Sequence, residues 1–194
     1  MSEATVEPVE HPQEHPQERP WEQGTTARPG DRVVVMGVSG SGKTTVGELL
    51  AVELDGTFVD GDALHPEANI KKMSAGIPLD DDDREPWLRQ IGAELGEAAA
   101  AGRTLVIGCS ALKHSYRDLI RTAAPDTRFV HLHGTDELLR ERMQVRPGHF
   151  MPASLLDSQL ATLEDLGVDE SGKVFDIADT PADLAASAAR WLRG

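Results

Sequence analysis

From Asp31 onward the apolar positions follow two periods in turn. Val33-Val34-Val35-Met36 is an unbroken apolar run, the pattern of a strand buried on both faces. After a glycine-rich turn, Val46, Leu49, Leu50 and Leu54 recur at helical spacing, which predicts a helix over about 43–54. The alternation then repeats. Further strands are predicted at Thr57–Val59, Thr104–Ile107, Arg128–Leu132 and Val174–Ile177, and further helices at about 66–73, 84–101, 112–123, 135–145, 153–163 and 182–192. Pro86 falls near the start of the long helix and Gly102 marks its end. Thr135 caps one later helix, and Thr180 with Pro181 opens the last. Asp80 to Asp83 read as an acidic loop, and Ile70, Met73 and Ile77 are expected to pack inward. Such alternation predicts an α/β fold, a parallel sheet covered on both faces with ligands beyond the carboxyl ends of its strands.

Those ends are chemically dense. Gly37-Val38-Ser39-Gly40-Ser41-Gly42-Lys43-Thr44 fits G-x-x-x-x-G-K-[ST] between a strand and a helix. Glycines let several backbone N–H groups point into one concavity, and the positive end of the helix adds to that field. Gly37, Ser39, Gly40, Ser41, Gly42, Lys43, Thr44 and Thr45 are therefore candidates for holding a nucleoside triphosphate. Lys43 reaches toward the β- and γ-phosphates and the Thr44 hydroxyl toward Mg²⁺. A chance glycine turn would lack the flanking strand and helix.

Asp60-Gly61-Asp62 ends the second strand. Residues i and i+2 of extended chain point the same way, so both carboxylates can face one site. Phosphoryl transfer needs a held Mg²⁺ and an oriented acceptor hydroxyl. The third strand ends in Gly108-Cys109, leaving Asp60 and Asp62 as the acids for those tasks; otherwise they are solvated acids of an Asp-Gly turn. His65, Asn69 and Lys72, at i, i+4 and i+7, place three polar groups on one helical face, either for hydroxyls and a carboxylate or for solvent. Arg84 is a candidate for bidentate anion recognition. Lys113 either faces the crevice or opens a surface helix. Arg142 and Arg146, ahead of Pro147-Gly148-His149, read equally as a lid over the nucleotide or as a basic helix end complementing its dipole. The remaining strand ends, His133-Gly134 and Ala178-Asp179, are expected in the same crevice.

Composition narrows the class. With 19 basic and 33 acidic side chains the net charge is −14, which argues against nucleic acid or an anionic membrane as the main partner. Residues 1–30 carry five of the twelve prolines, the imperfect repeat HPQEHPQE and few large apolar side chains, so they are expected to form a disordered tail before a single domain at 31–194. His11 and His15 in that strip are too sparse to make a metal site. The N-terminus lacks the apolar core of a signal peptide, no apolar run is long enough to span a membrane, and the single cysteine, Cys109, fits a reducing cytoplasm.

In order, MGVSGSGKTT, VDGDALHPEANIKKM, PLDDDDREPW, CSALKHSYRDLIR, RMQVRPGHFM and SQLATLE resemble the thermoresistant-type bacterial gluconokinases, P-loop small-molecule kinases related to shikimate kinase. The resemblance covers about 32–194. It implies a three-layer α/β/α P-loop kinase fold with a five-stranded parallel sheet, a mobile lid at about 145–153, and often a homodimer. It further implies ATP- and Mg²⁺-dependent phosphorylation of D-gluconate to 6-phosphogluconate. Carried over by position, Lys43, Asp60, Asp62 and Arg146 would be catalytic, and Thr44 and Asp60 would hold the metal. Arg142 and Arg146 would lie over the nucleotide. His65 and Arg84 would fall in the sugar-acid pocket, and Asp62, Asn69, Lys72, Lys113 and His149 are the further candidates for contact with the substrate. A kinase for shikimate or another hydroxy acid, and a non-catalytic ATP-binding switch, are the alternatives. No N-K-x-D guanine signature supports the switch.

Overall fold

The computed structural model describes residues 30–145 and 153–194. The expected tail up to Pro29, and Arg146 and His149 of the expected lid, lie outside the described residues. In chain order the elements are β1 (Arg32–Met36), α1 (Lys43–Glu53), β2 (Thr57–Asp60), α2 (Glu67–Ser74), α3 (Asp81–Ala100), β3 (Leu105–Gly108), α4 (His114–Ala123), β4 (Arg128–His133), α5 (Asp136–Val145), α6 (Ala153–Thr162), β5 (Gly172–Asp176) and α7 (Pro181–Arg193).

The five strands form one sheet in the order β2-β3-β1-β4-β5, every pair parallel. The chain adds strands first on one side of β1 and then on the other, so the order reverses at β1, where such folds open a crevice. The register sets Asp60 of β2 and Val35 of β1 both opposite Gly108 of β3. The second-strand acids and the root of the glycine loop therefore lie at one level of the sheet.

Alternate residues of β1 feed two cores. Val33 and Val35 pack with Val46 and Leu50 of α1, Leu139 of α5, Leu156 of α6 and Leu184 of α7. Val34 and Met36 pack with Trp87, Leu88 and Ile91 of α3 and Ile120 of α4. Helices thus cover both faces, and the unbroken apolar run of β1 follows from burial on both sides. The α/β fold read from the sequence is the fold observed.

Three local expectations are corrected. Asp80 to Asp83 are not a loop. Asp80 is the N-cap of α3, its carboxylate accepting from the Asp83 amide (2.8 Å) while the Asp83 carboxylate accepts from the Asp80 amide (3.2 Å). Asp81, Asp82 and Asp83 occupy the first turn, where the positive helix end offsets their mutual repulsion. Pro86 consequently sits in the second turn rather than the first. Ile70, Met73 and Ile77 do not pack inward; they are 44–52% exposed. Helix α2 instead turns polar groups inward: Asn69 donates to the Asp83 carbonyl (2.7 Å) and Lys72 pairs with the Asp83 carboxylate (2.5 Å). Finally, His65 precedes α2 rather than belonging to it, because a 3₁₀ turn over Gly61–Leu64 ends there in extended backbone, yet its Nδ1 still lies 3.3 Å from the Asn69 side-chain nitrogen, so the two share one side as expected. Among the described residues no helix is long and apolar enough to cross a membrane.

Candidate active site

The glycine loop has the backbone its sequence demands. Gly37, Gly40 and Gly42 all have positive φ, and Gly42 is the left-handed N-cap of α1. A Cβ on Gly37 would lie 2.5 Å from the Leu132 carbonyl oxygen, so the loop root admits no side chain. The Lys43 ammonium folds back onto the Val38 carbonyl (3.1 Å), at the mouth of the concavity. Ser41 is fully buried and its amide donates to Val38, closing the turn.

A cleft of about 370 Å³ opens in front of this loop. Its walls include Gly40, Lys43 and Thr44 on one side, Asp60 and Asp62 on another, and Arg142 across from them. Both acids reach the cleft, though not through an extended chain. Asp60 ends β2 and accepts from the Asp62 amide (3.1 Å), and Asp62 lies in the 3₁₀ turn that Asp60 caps. That turn is fixed from behind. The Trp87 indole donates to the Gly61 carbonyl (2.7 Å), and Gly61 lies so close to β3 that a Cβ would meet the Gly108 carbonyl oxygen at 2.4 Å. Beyond the later strands the walls are Arg142, Met143 and Pro181 rather than His133, Gly134, Ala178 or Asp179. Arg142 is braced there by donating to the Ile177 carbonyl (2.6 Å). A larger hollow, about 560 Å³, lies at the amino ends of β1–β3, the end of a parallel sheet opposite to where ligands gather.

Asp62 adjoins a second group of side chains. His65 is buried, stacked on Trp87 at 4.0 Å. Burial lowers its pKa, while Asp62 raises it and Arg84 lowers it. The guanidinium of Arg84 lies 5.9 Å from the Tyr116 ring centre, and the Lys113 ammonium 5.1 Å from it. Lys113 pairs with Asp81 (2.8 Å), and the Tyr116 hydroxyl donates to the same carboxylate. Hydrogen bonds from Lys113 and Tyr116 hold the Asp81 carboxyl below the usual range. Beneath them Cys109 is buried, which pushes its thiol up to about 12; the charges of Lys43, Asp62 and Arg84 all reach it.

The structure therefore brings Lys43, Thr44, Asp60, Asp62 and Arg142 to one cleft. His65 lies near enough to Asp62 and Arg84 to feel both charges, and Lys113 stands against Tyr116 and Asp81, outside the cleft walls. Asn69 and Lys72 are already engaged with Asp83, holding α2 to the start of α3. Sequence reasoning passed over Trp87, Tyr116 and Gln159, whose Oε1 accepts from the Ser39 amide (2.6 Å). The available signal was the same for each: a polar-tipped side chain set in an apolar stripe.

The donors fit the groups a P-loop kinase uses. A backbone cradle with a lysine suits phosphates, and a hydroxyl with a carboxylate suits a hard cation whose remaining ligands are phosphate oxygens and water. Comparison with known proteins agrees. A family model described as an AAA domain matches residues 33–166. A gluconokinase of Gluconobacter oxydans is 55% identical over 138 residues, 71% of this chain and 78% of the relative. The chain belongs to the gluconokinase family. Two solved structures support the assignment. A sugar kinase from Janibacter, 51% identical, covers 85% of this chain and 95% of its own with a TM-score of 0.80. A gluconokinase from Sinorhizobium meliloti, also 51% identical, covers 85% and 92% with a TM-score of 0.74.

Proposed function

We propose that this protein transfers the γ-phosphoryl group of ATP to the terminal hydroxyl of D-gluconate, giving ADP and 6-phospho-D-gluconate. The observation that carries the reading is the cleft in which a phosphate-binding loop faces Asp60 and Asp62, with Arg84 and Lys113 gathered around the nearby Tyr116 ring. The acceptor oxygen forms a bond to the γ-phosphorus, the bond to the β–γ bridging oxygen breaks, and the hydroxyl proton passes to a carboxylate. Asp62, the acid whose charge reaches His65, receives it. Asp60 and Thr44 would hold Mg²⁺, which neutralises charge on the phosphates when bound.

The amides from Gly40 to Thr45 cradle the phosphates, with Lys43 leaving the Val38 carbonyl to pair with them. Arg142 stands over the nucleotide end of the cleft. Arg84, Lys113 and His65 take the carboxylate and hydroxyls of the sugar acid. Asn69 and Lys72 shape the pocket through Asp83 rather than by contact. Arg146 and His149, outside the described residues, keep the roles that the resemblance implies, in a lid at about 145–153. The kinase domain is 31–194, the enzyme works in the reducing cytoplasm, and it forms a homodimer.

A coupled assay of ADP release with gluconate, shikimate and nucleoside monophosphates as acceptors tests the reading. Turnover with gluconate well above the others is expected. Turnover with shikimate instead would move the protein to a related kinase, and ATP binding without transfer to any acceptor would leave a nucleotide-dependent switch.

A further inference from the structure

Helix α6 carries one polar side chain where its pattern calls for an apolar one. Leu156, Leu160 and Leu163 follow an i, i+4, i+7 stripe; Leu156 is fully buried and the other two pack on the same core. Gln159 is in that stripe, three residues after Leu156 and one before Leu160, and it is half-buried. Its Oε1 accepts a 2.6 Å hydrogen bond from the backbone N–H of Ser39, 120 residues earlier in the chain. Ser39 lies in the middle of the phosphate-binding loop and lines the cleft.

We infer that Gln159 is a positioning residue for the nucleotide: it fixes the curvature of the phosphate-binding loop from α6 and so sets the affinity for the triphosphate. A loop of this kind binds phosphate only while its amides converge, and glycines leave it free to adopt other shapes. The Ser39 amide is anchored by Gln159, which leaves the amides from Gly40 onward to converge on the phosphates. Helix α6 is itself well placed to hold the loop. Asp157 pairs with Arg140 of α5 (2.6 Å), and Leu156 meets Leu139 of α5 in the common core. Helix α5 also reaches the loop directly, since Met143 and the Leu139 carbonyl lie about one added methyl group from Gly40. The α5–α6 pair thus grips the loop at Ser39 and Gly40 while Arg142, on the same α5, faces the cleft. Movement of α6 changes the loop and the position of Arg142 together.

This inference rests on the reading of the cleft as an ATP site. The test is calorimetric binding of a non-hydrolysable ATP analogue with Mg²⁺ to wild type, Gln159→Leu and Gln159→Met, alongside steady-state kinetics and melting temperature. Both variants remove the acceptor and keep an apolar stripe. The loss of one hydrogen bond that preorganises a ligand should weaken analogue binding about three- to tenfold and raise KM for ATP in parallel. KM for gluconate should stay at the wild-type value, and the melting temperature should be unchanged or higher. Analogue affinity equal to wild type in either folded variant overturns the inference. So does a matched loss of both substrates with a lowered melting temperature, which marks Gln159 as a packing residue only. A wild-type protein that fails to bind the analogue overturns instead the nucleotide reading itself.

Discussion

At the scale of single residues, the proposed reaction gives Lys43 and Asp62 separable parts of the chemistry. Lys43 rests on the Val38 carbonyl, so its charge is held at the loop by the protein's own backbone. Lys43→Ala removes a cation aimed at the transferring phosphoryl group without emptying a core. Losing one such stabilising group costs about 10²–10³-fold in kcat. Turnover should collapse while the circular dichroism spectrum and melting temperature remain those of wild type; a folded variant that retains activity would refute the assignment of the loop. Asp62→Asn asks a different question, because the amide keeps the shape but takes no proton. General-base assistance is worth about 10²–10⁴-fold, so kcat should fall by that order with KM for ATP little changed. An effect confined to KM for gluconate would make Asp62 a binding group.

At the scale of elements, the site depends on a brace. Trp87 of α3 donates to the Gly61 carbonyl between the two acids and stacks on His65, so one side chain fixes both the Asp60–Asp62 turn and the histidine beside it. Trp87→Phe keeps an aromatic ring for the stack but leaves a buried carbonyl without its donor. That should destabilise the fold by about 1–3 kcal/mol and lower kcat more than it raises KM for ATP; stability loss with unchanged kcat would reduce Trp87 to a core residue. The brace also marks where sequence reading stopped. Strands, helices and the glycine loop were legible because their signals are local, a period or a motif within a dozen residues. The capped start of α3 was not, because four consecutive acids are ordinarily solvated and only the helix dipole and a capping box make them a first turn. The orientation of α2 was not legible either: its pattern could not show that Asp83 would draw Asn69 and Lys72 inward and leave Ile70 and Met73 outside. Trp87 to Gly61, Tyr116 to Asp81 and Gln159 to Ser39 span 26, 35 and 120 residues, separations at which spacing carries no information.

Across the whole molecule, the layer of α3 and α4 holds one charge balance that bears on stability rather than on catalysis. Arg117 of α4 is fully buried and bound by the equally buried Glu170 carboxylate, with carbonyls of Ala111, Leu112, Glu164 and Asp165 completing its shell. Near it on β4 sits His131, 1% exposed, whose two ring nitrogens have no hydrogen-bond partner among the described residues. Burial lowers its pKa from 6.5 to about 4, helped by the neighbouring His133 and Arg117 and opposed by Asp165. The folded protein therefore keeps His131 neutral over a range in which the unfolded chain takes up a proton. Stability from this residue is complete above the ordinary histidine value, declines as pH falls from about 6.5 toward 4, and levels off below that. The linkage amounts to about 2 kcal/mol at pH 5. His65 shifts the same way as His131, lowered by burial, and His114 the opposite way, raised chiefly by its hydrogen bond to Asp169, so the total pH profile mixes all three and a variant isolates the one. His131→Leu fills the same apolar site with a side chain that does not titrate. Urea denaturation at about pH 7.5 and pH 5 should show wild type losing more stability than the variant on acidification, with the variant relatively more stable at the lower pH. Parallel losses in the two proteins would mean that His131 is reached by solvent and titrates as an ordinary histidine.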